Sequence, residues 1–228
     1  MTVKIISCDV FREEILALPP PPGIEMEFLS IGLHLQPDKL REKVQEAIDR
    51  STGCSLLILG YGLCGGALDG VRAPGCPMVM PRVHDCIPVL LGSMEKYRQL
   101  REEKGQCFYF SGGWVEGERL IISEYERSCR QFGEERALRI FRKMFEHYTH
   151  LAYIFTGHPR TEETLAKTRW FASLLPRPCF EVTGSLDYLR SLLYGPWEET
   201  RFVTIPPHGS VDRQAFVKDG VELKVQGT

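Results

Sequence analysis

The chain has 228 residues, of which 43% are hydrophobic and 25% charged, proportions that exclude global disorder. Its 28 lysines and arginines and 30 aspartates and glutamates give a formal charge of -2, which predicts no nucleic-acid partner and no anionic membrane surface. No apolar run reaches the roughly 20 residues that span a bilayer. The segment Met1–Glu14 has neither the basic nor the apolar part of a secretory signal. We therefore expect a cytoplasmic protein with no membrane partner.

The first half of the sequence predicts strands that alternate with helices. Val3–Cys8 is apolar and rich in β-branched residues, as in a buried parallel strand. Val10–Leu18 has helical spacing and ends at Pro19–Pro22, because proline restrains its predecessor and lacks a backbone donor. Further strands are predicted at Ile24–Leu29, Ser55–Gly62 and Pro77–Val83, and helices at Pro37–Arg50 and about Ile87–Glu102.

The second half continues this alternation. The predicted strands are Cys107–Phe110, Ala152–Gly157, Cys179–Gly184 and Phe202–Ile205, and the predicted helices are Glu118–Leu151 with a break near Gly133, Glu162–Leu175 and Ser185–Tyr194. Ser111–Trp114 is predicted to be a turn, with Trp114 in the core. The order predicts an α/β fold, a mainly parallel sheet with helices on both faces. We expect a single domain over residues 1–228, or two Rossmann-like lobes over about 1–105 and 106–228.

Eight cysteines are many for a domain of this size. In a reducing cytoplasm, a shared metal explains such a number better than disulfides do. Cys8 ends the first predicted strand, Cys64 follows Ser55–Gly62, and Cys86 follows Pro77–Val83. Sites in open α/β sheets form beyond the carboxyl ends of the strands. If these strands are parallel neighbours, the three thiols point into one crevice and can hold one metal.

Three thiolates suit either zinc or an iron–sulfur cluster of the 4Fe–4S type. With zinc, the fourth position is left for water, a substrate or His84, which is also a candidate proton acceptor. Asp85 and Asp9 are placed to accept hydrogen bonds beside the ligands. The backbone N–H groups of the glycine turn, at Gly62, Gly65 and Gly66, could bind a sulfur or an anion.

The alternative for each of these cysteines is simple packing, since free cysteine is among the most buried residue types. We assign a structural role to the other five cysteines, which are Cys54, Cys76, Cys107, Cys129 and Cys179.

Four segments of the chain resemble an uncharacterised family, a "domain of unknown function" family that is frequent in anaerobes and methanogens. The segments are Leu33–Pro37, Tyr61–Ala67, His84–Ser93 and Cys107–Trp114. Members carry the patterns (A/S)C, YGxCG and HxC, which correspond here to Cys8, Cys64 and Cys86. The sequence departs from the family at Cys107–Gly113, where a Gly-Thr-Tyr-Tyr-Leu-Thr-Pro-Gly-Trp pattern is more usual. Such proteins are often encoded beside corrinoid-dependent methyltransferases, so the resemblance implies a one-carbon or corrinoid context.

These observations lead to three functional hypotheses. In the first, zinc held by the three cysteines activates a small thiol, which accepts a methyl group from a corrinoid protein or corrinoid methyltransferase. In the second, an iron–sulfur cluster serves electron transfer or reductive activation of a corrinoid partner. In the third, the glycine turn binds a small anion without any metal.

Overall fold

The computed structural model describes residues 2–19, 23–117 and 120–216, which form two sheets with helices around them. The first sheet has the strand order β2-β1-β3-β4-β8, and the second has the order β5-β6-β7. The strands are β1 (Val3–Cys8), β2 (Ile24–Leu29), β3 (Leu56–Gly60), β4 (Met78–Pro81), β5 (Cys107–Phe110), β6 (His150–Phe155), β7 (Cys179–Thr183) and β8 (Phe202–Ile205). The predicted α/β class and mainly parallel pairing are confirmed.

The helices connect these strands. They are α1 (Arg12–Leu16), α2 (Pro37–Asp49), α3 (Ile87–Leu91), α4 (Met94–Lys104), α5 (Gly112–Glu116), α6 (Ile121–Phe132), α7 (Glu134–Met144), α8 (Thr161–Leu174) and α9 (Asp187–Tyr194). The position of helix α2 follows from its apolar face, because the side chains on that face are buried: Leu40, Val44, Ala47 and Ile48.

The pairing of the first sheet determines where the candidate site lies. β1 pairs in parallel with β2 and β3, and β3 pairs in parallel with β4. The carboxyl ends of these four strands therefore lie at the same edge. β8 pairs antiparallel with β4, so the last described strand of the chain returns to the first sheet.

The two sheets share a hydrophobic core. Cys107 and Tyr109 of β5 and Ala152 and Ile154 of β6 belong to the same buried cluster as the side chains of β1, β3 and β4. A second cluster includes the aromatic residues Phe110, Tyr125, Phe141, Phe145 and Phe171. The first cluster connects the sheets, and the second holds α6, α7 and α8 to the second sheet.

Several local predictions were wrong. Residues 111–114 begin the helix α5 instead of a turn, because the Ser111 hydroxyl accepts a hydrogen bond from the Trp114 backbone N–H at 3.4 Å. The predicted helix over residues 87–102 is divided into α3 and α4. Gly92 has a left-handed backbone with φ 78, and Ser93 then caps α4 by accepting from Lys96 N at 3.2 Å.

Residues 9–11 form a 3₁₀ turn before α1, so the predicted helix over residues 10–18 begins irregularly. The predicted break near Gly133 is confirmed between α6 and α7. Pro20–Pro22 and Glu118 lie outside the described residues. Within the described part of the chain, the helices are too short or too polar to cross a bilayer.

Candidate metal centre

The three predicted cysteines lie at one edge of the first sheet. Cys8 is the last residue of β1, and Cys64 and Cys86 lie in the loops that follow β3 and β4. The two loops are held together, because Leu63 N donates to Val83 O at 2.8 Å and Cys64 N donates to His84 O at 2.7 Å. The convergence expected from parallel strand ends is therefore present in the backbone.

The electrostatics of the thiols show that they are neighbours. Desolvation is the largest cause that raises the pKa of all three thiols, to about 12 for Cys8. Negative charge at Cys8 raises the pKa of Cys64 and of Cys86 further, and charge at Cys86 also raises the pKa of Cys64. Without a metal, the thiols are therefore held in the neutral form.

His34 lies in the same place, although the sequence analysis gave it no role in the site. Its Nε2 atom is 3.5 Å from Cys8 Sγ, and its ring stacks on Tyr61 with 6.2 Å between ring centroids. Desolvation lowers the pKa of His34 to about 4, so the imidazole is neutral at pH 7. A neutral imidazole is the form that binds metals. His34 follows β2, the neighbour of β1, so the rule that located the cysteines could also have located this histidine.

Trp114 contacts one of the three thiols. Its indole N–H donates a hydrogen bond to Cys86 Sγ at 3.3 Å, which lowers the pKa of that thiol, although desolvation and the Asp85 charge raise it more. The assignment of Trp114 to the core was incomplete: the side chain is partly buried and contacts the candidate site. This contact could not be predicted from the sequence, because residues 111–114 were predicted to form a turn.

The predicted polar residues have different surroundings. Asp85 Oδ1 accepts a hydrogen bond from Ile87 N at 2.9 Å, at the start of α3, and desolvation raises the Asp85 pKa to about 6. The Asp9 carboxylate pairs with Arg12 Nε at 2.5 Å, within the first turn after β1. His84 contributes its backbone carbonyl to the Cys64 loop. Asp85 thus lies close enough for its charge to act on Cys64 and Cys86, His84 contributes a backbone contact, and the Asp9 carboxylate pairs with its own segment.

The glycine turn is tightly constrained. A Cβ atom at Gly62 would lie 2.9 Å from Val83 O, so this position needs glycine for the close approach of the two loops. Gly65 and Gly66 have φ values of 69 and 87, and Cys64 itself has φ 50, which is unusual for a residue with a side chain. Gly66 N donates to Leu63 O within the turn. The strained backbone at Cys64 is typical of functional positions.

The donor set fits zinc by type, but it is not assembled around one point. Among residues 2–19, 23–117 and 120–216, no group of three His, Cys, Asp or Glu side chains is arranged to hold a metal ion. Cys8, Cys64, Cys86 and His34 together make the Cys₃His composition that zinc accepts. To bind one ion, the thiols must lose their protons and turn toward a common point.

The fold and the site define an α/β protein that gathers thiols from three adjacent parallel strands at one edge of a sheet. The family model described as "Protein of unknown function (DUF1638)" matches residues 28–193, which is more than half of the chain, and the chain belongs to this family. The matched range includes His34, Cys64, Cys86 and Trp114, whereas Cys8 precedes it. No curated protein and no solved structure matches the chain.

Proposed function

We propose that this protein binds a zinc ion through the thiolates of Cys8, Cys64 and Cys86, with His34 as the fourth donor. One observation carries this proposal. Three adjacent parallel strands end at the same edge, and each delivers a cysteine close enough for its charge to act on another cysteine of the set. Packing alone gives no reason for all three strand ends to carry a thiol.

The histidine favours zinc over an iron–sulfur cluster. Ligands of zinc sites combine cysteine sulfur with histidine nitrogen, whereas most 4Fe–4S clusters are held by cysteines alone. His34 is neutral at pH 7, because its pKa is lowered, and its Nε2 atom already lies beside Cys8 Sγ. No proton has to be removed from this donor before it can bind.

The raised thiol pKa values support a role for the metal in deprotonation. A cation in this place removes the protons that desolvation otherwise keeps on the sulfurs. Binding should therefore release protons and should be stronger at higher pH. Trp114 donates to Cys86 Sγ and would continue to do so when that sulfur is a thiolate, which strengthens the hydrogen bond.

The activity we propose for the site is methyl transfer to a small thiol. When bound, zinc supplies an electrophilic position at which a substrate thiol is held as its thiolate at neutral pH. That thiolate sulfur would attack the methyl carbon of a methyl-corrinoid, and the cobalt–carbon bond would break with its electron pair staying on cobalt. His34 would be the donor that gives way to the substrate, because it is the one ligand of the set without a negative charge. The corrinoid partner rests on the family resemblance described above.

Metal analysis tests the zinc site. Protein purified without oxygen is expected to contain about one zinc per chain, as a site with three thiolates and one imidazole requires. The variants Cys8→Ser, Cys64→Ser and Cys86→Ser should each lose most of the zinc. His34→Gln should bind zinc at least 10-fold more weakly, because even groups that only hydrogen-bond to a ligand cost about 10–100-fold when they are lost. Cys179→Ser, which changes a partly buried cysteine at the start of β7, is the matched control and should retain the metal.

Two results would contradict the zinc proposal. Iron and acid-labile sulfide in equal amounts, lost in the same three variants, would assign the thiols to a cluster and favour the electron-transfer hypothesis. Protein that contains no metal, and whose thermal stability is the same with zinc and with a chelator, would favour a metal-free binding module.

A separate assay tests the methyl transfer. Zinc-loaded protein is mixed with methylcobalamin and a small thiol, and the loss of the methyl–cobalt absorbance is followed. The rate should exceed that of Cys64→Ser at least tenfold if the bound thiolate is the nucleophile. Equal rates for the two proteins would exclude this reaction but would not contradict the proposed zinc site.

A further inference from the structure

Two further cysteines lie together at the opposite edge of the first sheet. Cys54 precedes β3 by two residues and Cys76 precedes β4 by two residues, so the parallel pairing of these strands brings the cysteines together. Their Sγ atoms are 2.9 Å apart. Leu57 N donates to Pro77 O at 3.0 Å and fixes the two strand starts beside this pair.

The pair opens into a cavity of about 890 Å³. This volume lies within the range of about 300–1,000 Å³ that is usual for small-molecule sites. The walls come from the end of α2, from the segment between β3 and β4, and from the loop after β8, and they include Gln45, Asp49, Arg72, Gly75 and His208. His208 N donates to Pro74 O at 3.0 Å, so the loop after β8 is attached to the wall that carries Cys76.

The two sulfurs differ in their access to solvent. Cys54 is partly exposed, and its thiol is directed to Ser51 O at 3.4 Å. Cys76 is 5% exposed, and desolvation, followed by the neighbouring Cys54, raises its pKa to about 12. One partly exposed cysteine beside one buried cysteine is the arrangement that separates an attacking thiol from a resolving thiol.

We propose that Cys54 and Cys76 form a thiol–disulfide exchange site, and that the adjacent cavity binds a low-molecular-weight disulfide. The Cys54 thiolate attacks one sulfur of the small disulfide, which gives a mixed disulfide and releases one small thiol. Cys76 then loses its proton and attacks the Cys54 sulfur, which forms the Cys54–Cys76 bond and releases the second small thiol. The two protein thiols give up two electrons and two protons, and the small disulfide is reduced to two thiols.

This site is independent of the proposed zinc centre. Cys54 and Cys76 lie before strands β3 and β4, whereas Cys64 and Cys86 lie after them. Exchange at Cys54 and Cys76 should therefore continue in Cys64→Ser, in which the zinc donor set is incomplete. If disulfide exchange fails in both the wild type and Cys64→Ser, the exchange proposal is contradicted and the zinc proposal is not. If the protein binds no zinc, the zinc proposal is contradicted and the exchange proposal is not.

The test uses oxidised glutathione as the probe. Reduced wild-type protein is treated with it, the remaining thiols are alkylated, and the peptides are mapped by mass spectrometry. The Cys54–Cys76 disulfide is expected as the first product, about tenfold faster than any change at the partly buried Cys179, because two sulfurs held in contact close without a search. In Cys76→Ser, one glutathione should accumulate on Cys54. In Cys54→Ser, Cys76 should remain unmodified.

Two outcomes would overturn the proposal. One is a wild-type protein in which Cys54 and Cys76 are oxidised no faster than Cys179. The other is a Cys76→Ser protein that carries no more glutathione at Cys54 than at Cys179. The wild-type measurement needs no substitution, so it decides the question even if a variant fails to fold.

Discussion

The indole N–H of Trp114 donates to Cys86 Sγ across 3.3 Å, and this contact joins a helix at the second sheet to the thiols of the first. Two segments pack closely against the helix α5. A Cβ atom at Gly113 would lie 2.4 Å from Val10 O, and one at Gly112 would lie 2.2 Å from the His158 ring. The candidate site is therefore bounded by segments that follow strands of both sheets.

Replacement of Trp114 by phenylalanine tests this contact. Trp114→Phe keeps most of the apolar surface and removes the donor, so we expect zinc affinity to fall about tenfold, as for other groups that hydrogen-bond to a ligand. The free energy of unfolding should fall by about 1 kcal/mol. Competition with a chromophoric chelator measures the first quantity and urea unfolding the second.

The matched control for this variant is Trp197→Phe. Trp197 also donates its indole N–H, to Leu192 O at 2.9 Å, and this contact is made to α9 and not to the thiols. A similar loss of stability with unchanged zinc affinity is expected. Equal zinc affinity for Trp114→Phe and the wild type would remove Trp114 from the site.

The left-handed backbone at Cys64 gives a second prediction. A residue with a Cβ atom in this region costs about 1–2 kcal/mol, and glycine avoids most of this cost. In the metal-free, reduced state, Cys64→Gly should therefore be about 1 kcal/mol more stable than Cys64→Ala in urea unfolding.

The same pair of substitutions in a helix should give the opposite order. At Cys129, within α6, glycine should be less stable than alanine by about 1 kcal/mol. If Cys64→Ala is as stable as Cys64→Gly, or more stable, residue 64 does not have the left-handed backbone described above.

The close approach at Gly62 gives a third prediction. In Gly62→Ala the new methyl group meets Val83 O and Asp85 N at about 3 Å, so the loops that carry Cys64 and Cys86 must separate. We expect a loss of about 1–3 kcal/mol in the free energy of unfolding, together with weaker zinc binding.

Gly75→Ala is the control for overcrowding. At Gly75 the nearest atom, His208 Cε1, would lie 3.7 Å from the added carbon. Its effect on stability should stay within about 0.5 kcal/mol. Full zinc affinity in Gly62→Ala would show that the spacing of the two loops does not matter for the metal.

The buried carboxyl group of Glu14 predicts a dependence of stability on pH. Desolvation raises its pKa above 4.5, although a hydrogen bond from Thr156 Oγ1 to Oε1 at 2.7 Å opposes the rise. The folded state therefore holds the proton more strongly than the unfolded state, and the contribution of Glu14 to stability falls as pH rises above 4.5.

Glu14→Gln removes this titration and can still accept the hydrogen bond from Thr156. Relative to the wild type, the variant should gain stability as the pH rises above 4.5, because the wild type alone loses the contribution of the protonated Glu14 carboxyl group. Urea unfolding across this range measures the difference. Glu103→Gln, which changes an exposed carboxyl group on α4, is the control and should follow the wild type; a parallel pair of curves for Glu14→Gln and the wild type would contradict the prediction.

The three cysteines of the candidate site could be predicted from the sequence, because each lies at or after the end of a predicted strand. Short apolar runs located β1, β3 and β4, and their parallel pairing followed from the helices between them. Cys8, Cys64 and Cys86 then had to lie at one edge. The zinc that they are proposed to hold stays a prediction.

What sequence could not predict depends on contacts between distant segments. The indole of Trp114 reaches Cys86 because α5 packs against the residues after β1, and nothing in the local pattern of residues 111–114 indicates a helix. Cys54 and Cys76 were assigned structural roles by default. Their contact depends on the register of β3 and β4, which only coordinates provide.

The antiparallel strand β8 has a consequence for the integrity of the site. It covers the side of β4 that faces away from β3, and Val79 and Met80 pair with Thr204 and Val203. A chain that ended before residue 202 would leave the backbone groups of β4 open at the margin of the sheet. Open margins of this kind recruit strands from other molecules. β8 thus pairs the backbone groups of the strand that leads to Cys86 and itself becomes the margin of the sheet.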